Sequence, residues 1–124
     1  MLKVDLRLGE SAVFGIGLFA TEFIPNNTIV WEFDSNVDKV YTPKEFENLH
    51  KDNENILSHL GWTNKKTGKI IVPTDNAKYL NYSDLPNCYS VYDEGENEVT
   101  TYTLRDINID EEITLNFRDL DELR

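Results

Sequence analysis

Asn76-Ala77-Lys78-Tyr79-Leu80-Asn81-Tyr82-Ser83-Asp84-Leu85-Pro86-Asn87 packs amides, hydroxyls and a proline into twelve positions. As a connector it would form consecutive turns, its Asn, Ser and Asp side chains satisfying nearby main-chain groups. So many polar side chains exceed what a connector needs, and a binding role stands beside that plainer reading. Outward from this stretch, Cys88 to Tyr92, the acidic turn Asp93 to Asn97, and Glu98 to Leu104 read as a hairpin, with Ile113 to Leu115 as a last short strand. On the other side, Trp62, the turn Asn64-Lys65-Lys66-Thr67-Gly68, and Lys69 to Val72 read as a second hairpin that Pro73 ends.

Further from it, Leu2, Val4, Leu6 and Leu8 alternate with Lys3, Asp5 and Arg7, the period-2 pattern of a half-buried strand ending at Gly9. Leu18-Phe19-Ala20 follows Gly15-Ile16-Gly17, and Ile24-Pro25-Asn26-Asn27 marks a turn before a strand from Thr28 to Phe33. Thr42-Pro43-Lys44-Glu45 combines a capping hydroxyl, a proline at the first helical position and a glutamate placed to close a capping box. The spacing of Phe46, Leu49, Ile56, Leu57 and Leu60 predicts a helix up to Gly61, with Lys51 to Asn55 as a possible loop. His50 and His59 fall on or beside it as solvated or core-edge residues. Ile24-Pro25-Asn26-Asn27-Thr28-Ile29 is faintly echoed by Ile107-Asn108-Ile109-Asp110-Glu111-Glu112-Ile113, which two turn-then-strand units can produce by chance. Many short strands and one substantial helix predict a β-rich α+β domain, a single unit over residues 1–124.

With 40% hydrophobic residues, a chain of this length can bury a core without staples. Cys88 is the sole cysteine, which excludes disulfides and multi-cysteine zinc clusters, and the two histidines add no metal-binding pattern. No metal is expected. The longest apolar run, Ala12 to Ala20, is too short to span a bilayer, so no membrane role is expected, and a reducing cytoplasmic compartment is. The net charge of −11 opposes direct nucleic-acid binding. From Asp93 onward there are 11 acidic and 3 basic residues, either a solvated face or an attractor for a cationic substrate.

Gly15-Ile16-Gly17-Leu18-Phe19-Ala20 fits the G-x-G-x-x-[G/A] dinucleotide fingerprint, but that motif must open a helix within a βαβ unit. Pro25 interrupts the segment and no such unit follows. The two glycines still let main chain approach a ligand without Cβ obstruction.

Taken in order, Gly15 to Ala20 with Ile24 to Glu32, Lys78 to Asn87, and Asp110-Glu111-Glu112-Ile113-Thr114-Leu115-Asn116-Phe117 resemble the SET domain patterns G-x-G-[LV]-F-A, R-F-x-N-H-S-x-x-P-N and G-E-E-L-T-x-D-Y. The likeness is to the small free-standing microbial and viral members, which lack cysteine-rich flanking modules. It implies several small sheets with a knot-like C-terminal threading, S-adenosylmethionine bound on one face, and an amine entering from the other.

By match of motif, the resemblance assigns cofactor binding to Gly15, Ile16, Gly17, Lys78, Tyr79, Asn81 and Tyr82. Ile16 and Gly17 would offer main-chain groups to the methionine part, and Lys78, in place of the family's arginine, would meet its carboxylate. Asn81 and Tyr82 would hold its amino group and adenine. The catalytic positions are Tyr82 and Phe117. Tyr82 replaces the family's histidine, and Phe117 replaces the tyrosine whose hydroxyl lines the methyl-transfer pore, which implies lowered activity, or a hydroxyl from Tyr82 or another pocket tyrosine in its place, or a substrate other than the usual lysine. Leu115 replaces an aromatic that affects methyl number, which implies a wider channel.

The activity so implied is S-adenosylmethionine-dependent N-methylation of a cationic amine, a protein lysine. A free polyamine is the rival acceptor, given the acidic last quarter of the chain, and a non-catalytic SET-like binding module is the rival class, given Phe117 and Tyr82. A homo-oligomer is an open possibility.

Overall fold

The computed structural model describes residues 1–49, 61–92, 98–116 and 121–122. Eleven strands are distributed over four small sheets among these residues. The hairpin β1 (Leu6–Glu10) with β2 (Ile16–Ala20) is antiparallel, with Gly9 opposite Gly17. A three-stranded antiparallel sheet has the order β3 (Ile29–Glu32), β9 (Val99–Thr103), β8 (Cys88–Tyr92). A four-stranded sheet has the order β11 (Asp121–Glu122), β5 (Trp62–Thr63), β6 (Ile70–Pro73), β4 (Asp38–Tyr41). Finally β7 (Asn81–Tyr82) runs parallel to β10 (Thr114–Leu115).

Both predicted hairpins form where turn chemistry placed them. At the Trp62 hairpin, Gly68 takes φ 72°, and the Asn64 side-chain oxygen accepts from the Lys66 and Thr67 N–H groups at 2.9 and 3.1 Å. The acidic turn 93–97 of the other hairpin lies outside the described residues. The capping box is also present: Thr42 N–H donates to Glu45 Oε1 at 2.9 Å, and Glu45 N–H donates to Thr42 Oγ1 at 3.2 Å. These bonds pull the Glu45 carboxyl below its ordinary range. The helix they open, α1, covers 43–49 of the described residues; His50, Ile56, Leu57, His59 and Leu60 lie outside them.

Three local expectations change. The predicted strand Leu2 to Gly9 is divided: Leu2 bridges to Trp31, and regular pairing begins only at Leu6 and continues through Glu10. Its alternation holds as far as Arg7, but Leu8 is exposed, on the face a two-stranded hairpin leaves uncovered. Residues Asn76–Tyr79, read as turns, form a 3-10 helix, η1, capped by Asp75, whose Oδ1 accepts from Ala77 N–H and whose Oδ2 accepts from Leu2 N–H. The strand β4 has no counterpart in the sequence reading. It begins at Asp38, whose fully buried carboxylate pairs with the Met1 ammonium at 3.0 Å and accepts from Asp34 N–H at 2.8 Å.

The core runs between the sheets through Leu18, Val30, Ile71, Val99, Ile107 and Ile113, all 0–1% exposed. Burying each such side chain is worth about 1.5–3 kcal/mol. Trp31 and Trp62 meet edge to face at 5.0 Å and join the three- and four-stranded sheets. Over this floor, β2, β7 and β10 bring the three polar motifs together.

Candidate active site

Ser11 organises the loop that precedes β2. Its N–H donates to Gly15 O at 2.8 Å, and its hydroxyl oxygen accepts from the N–H groups of Val13 and Phe14 at 2.9 and 3.1 Å. Gly15 takes φ 49°, where a side chain is strained, and a Cβ there would meet nothing within 4 Å. At Gly15 main chain is thus bare toward open space, as expected of the two-glycine motif, whereas at Gly17 the expected opening is filled by the chain's own Glu112 and Asn81.

Asn81, the first residue of β7, is 3% exposed. Its amide nitrogen donates toward Phe14 O at 2.9 Å, Ile16 O at 3.2 Å, Ser11 Oγ at 3.1 Å and Glu112 Oε2 at 2.9 Å. Two carbonyls and a carboxylate oxygen can only accept, so the amino end of the amide must face them. Ser11 Oγ in turn donates to both oxygens of Glu112, each at 2.8 Å. The carboxylate lies against Gly17, where a Cβ would collide with Glu112 Oε2 and stand 3.2 Å from Asn81 Nδ2. Gly17 is therefore a space requirement for the Ser11–Asn81–Glu112 cluster.

Asn87 holds the third motif in place. Its amide donates to Glu112 O at 2.7 Å and accepts from Thr114 N–H at 2.8 Å, while its own N–H donates to Thr114 Oγ1 at 3.2 Å. Ser83 N–H donates to Leu115 O at 2.8 Å, extending the β7–β10 pairing. Tyr82, opposite Leu115, is half-buried against the core. Lys78 and Tyr79 sit on η1, which packs against β2, with Lys78 Nζ 5.5 Å from the centre of the Tyr79 ring.

Gly15, Ile16, Gly17 and Asn81 thus come together, with Tyr82 next to Asn81 on β7 and Lys78 and Tyr79 on the adjoining turn. Phe117 lies outside the described residues. Three participants went unassigned in the sequence reading. Ser11 carries no mark in the sequence, Asn87 closes the second motif without a role of its own, and Glu112 counts toward the acidic surplus, although it stands inside the third motif. A cleft of about 380 Å³ lined by residues 35–40 and Thr74 contains none of the site residues. Cys88, behind the site on β8, is buried, and burial pushes its thiol up to about 12, so it stays neutral.

The SET domain family model matches residues 15–118, and the chain belongs to that family. Among its relatives are histone-lysine N-methyltransferases described as H3 lysine-4 specific. The one from Chaetomium globosum is 28% identical over 121 residues, covering 94% of this chain and 11% of that protein. The one from Schizosaccharomyces pombe is 26% identical over 122 residues, covering 94% of this chain and 13% of that protein. This chain therefore spans only about a tenth of the length of these relatives. Among solved structures, apo ctPRC2 with two substitutions in Ezh2 superposes with a TM-score of 0.76 at 22% identity, over 97% of this chain and 16% of that one. A candidate histone methyltransferase of Plasmodium falciparum gives 0.67 at 22% identity, over 94% of this chain and 95% of that one.

Proposed function

We propose that this chain is an S-adenosylmethionine-dependent amine N-methyltransferase whose acceptor is a protein lysine. The observation that carries the reading is the Asn81 amide, whose nitrogen is fixed by the main-chain oxygens of Phe14 and Ile16 and by Glu112 Oε2. The residues present suit the cofactor's parts. Asn81 Oδ1 makes no hydrogen bond among the described residues and would accept from the ammonium of the methionine part. The half-buried Lys78 would meet its carboxylate, and Tyr79 and Tyr82 would give the adenine aromatic surface. When bound, S-adenosylmethionine supplies a methyl group on a positively charged sulfur, which a neutral amine can take by displacement.

What the chain must add is position and a neutral amine. A lysine of ordinary pKa, about 10.4, is neutral in only one molecule in a few thousand at pH 7. Burial among aromatic side chains favours loss of that proton, whereas acids close to the amine oppose it. The acidic surplus therefore belongs at the rim, drawing a cationic acceptor. Because Phe117 lacks a hydroxyl, Tyr82 is proposed to supply the group that the family's tyrosine provides.

Transfer of labelled methyl from S-adenosylmethionine to a lysine-rich protein, with spermidine as the competing acceptor, tests the reading. Label on the protein and a loss of at least 100-fold in Asn81→Ala are expected; preference for spermidine would make the acceptor a polyamine. A Tyr82→Phe variant that transfers at the native rate would remove Tyr82 from its role. Phe117 also favours a binding-only module. A native chain that binds cofactor without turnover, and gains activity in Phe117→Tyr, would establish that instead.

A further inference from the structure

We infer that Glu112 is a positioning residue that sets which end of the Asn81 amide faces the ligand, and so selects for the α-ammonium group of the cofactor's amino-acid part. The inference rests on the cofactor reading above and deepens it.

An asparagine amide can present either its donor or its acceptor end, and only its neighbours decide which. In this site the acceptors gather at one end of the amide: Phe14 O, Ile16 O and Glu112 Oε2 all accept from Asn81 Nδ2, and Glu112 is the one of the three that carries a charge. The bond to the carboxylate is charge-assisted and is the strongest kind in that set. Glu112 is itself held: Ser11 Oγ donates to both of its oxygens at 2.8 Å, and Asn87 Nδ2 donates to its main-chain oxygen at 2.7 Å. Phe19 bridges to its main chain, and Gly17 leaves the space its carboxylate fills. A carboxylate fixed on these sides keeps the Asn81 amino end turned to β2 and leaves Oδ1 as an acceptor for a cation. Glu112 need not touch the ligand. Replacing it with glutamine puts a second amide beside the first, which can donate as well as accept, and the preference for one orientation weakens.

The test is calorimetry with two ligands of the same adenosine thioether chemistry. S-adenosylhomocysteine carries the amino-acid part and 5′-methylthioadenosine lacks it. Glu112→Gln is expected to bind S-adenosylhomocysteine about 10- to 100-fold more weakly while its affinity for 5′-methylthioadenosine stays within about twofold of native. Ser11→Ala, which loosens the carboxylate without removing it, is expected to give a smaller loss on the same ligand only, and it decides the matter if Glu112→Gln does not fold. Equal losses for both ligands, or none for S-adenosylhomocysteine, would overturn the inference and leave the cofactor reading standing. A native chain that binds neither ligand would overturn both.

Discussion

Ile24 and Ile107 exchange both main-chain hydrogen bonds, at 2.9 and 2.8 Å, and each opens a turn whose fourth residue is left-handed, Asn27 at φ 62° and Asp110 at φ 70°. Short polar side chains tolerate that conformation because they can bond locally. Each turn is also held by a buried polar side chain from the same end of the β8–β9 hairpin. Thr103 Oγ1 accepts from Thr28 N–H and donates to Pro25 O, both at 2.8 Å, and Asn87 holds Glu112 and Thr114. What differs is the residue five positions after each isoleucine. In the first turn it is Ile29, which enters β3; in the second it is Glu112, which enters the Asn81 cluster. One backbone device feeds a strand at one end of the core and the Asn81 cluster at the other.

The two holding side chains test how equal the turns are. Asn87→Ala strips partners from Glu112 O and Thr114 N–H, which lie next to the core residue Ile113. An expected loss of about 2–4 kcal/mol in denaturant unfolding follows from one buried and one part-buried group left unpaired. Thr103→Val strips Thr28 N–H and Pro25 O, but Pro25 is exposed and Thr28 half-exposed, so water replaces part of what is lost and about 1–2 kcal/mol is expected. Equal losses would mean that the second turn is no more committed than the first.

The glycines sharpen the same contrast at the point where the second turn reaches the site. Gly17→Ala drives a methyl group into a carboxylate that Ser11 and Asn81 hold, so the usual escape of a flexible side chain is blocked. About 1–3 kcal/mol of stability and most of the binding of S-adenosylhomocysteine should go. Gly15→Ala meets no atom within 4 Å and costs only the left-handed backbone conformation, about 1 kcal/mol. If calorimetry finds the two variants equally impaired in binding, Glu112 has room to move and the cluster is softer than its bond lengths imply.

The parts of this molecule legible in its sequence are those decided within a few residues. The Thr42–Glu45 box, the Asn64–Gly68 turn and the β8–β9 hairpin each carry their own local chemistry, and the resemblance of three motifs supplied the family. The echo of Ile24 in Ile107 was visible too, but its meaning was not, because only folding pairs the two isoleucines with each other. The parallel contact of Asn81–Tyr82 with Thr114–Leu115 has no local signal, since its partners lie more than thirty residues apart. Asp38–Tyr41 carries too little apolar alternation to read as a strand, and its buried Asp38 depends on the distant Met1 ammonium. Glu112 was hidden for a different reason. In a chain with 23 acidic residues, one more carboxylate reads as surface, and only its three polar neighbours, Ser11, Asn81 and Asn87, single it out.

The smallest expected difference between the turns is electrostatic. Glu111, one residue after the left-handed Asp110, takes two hydrogen bonds from Arg105, at 3.3 and 2.8 Å, and one from Asn108 N–H at 2.8 Å. The Arg105 guanidinium, followed by the Asn108 N–H, holds its carboxyl below the ordinary range. A folded-state pKa below the unfolded one means that the stability it adds is present above the unfolded value and is lost as pH falls through the folded one. The pair is largely solvated, so it contributes about 0.2–1 kcal/mol. Native chain and Glu111→Gln should therefore differ by a degree or two in Tm at pH 7, with the gap closing below about pH 4. The first turn has Thr28 at the matching position and cannot titrate there, so a Thr28→Val variant should show a pH-independent offset. A gap for Glu111→Gln that persisted into acid would trace it to lost packing rather than charge, and the two turns would then be alike in their electrostatics as well as in their backbone.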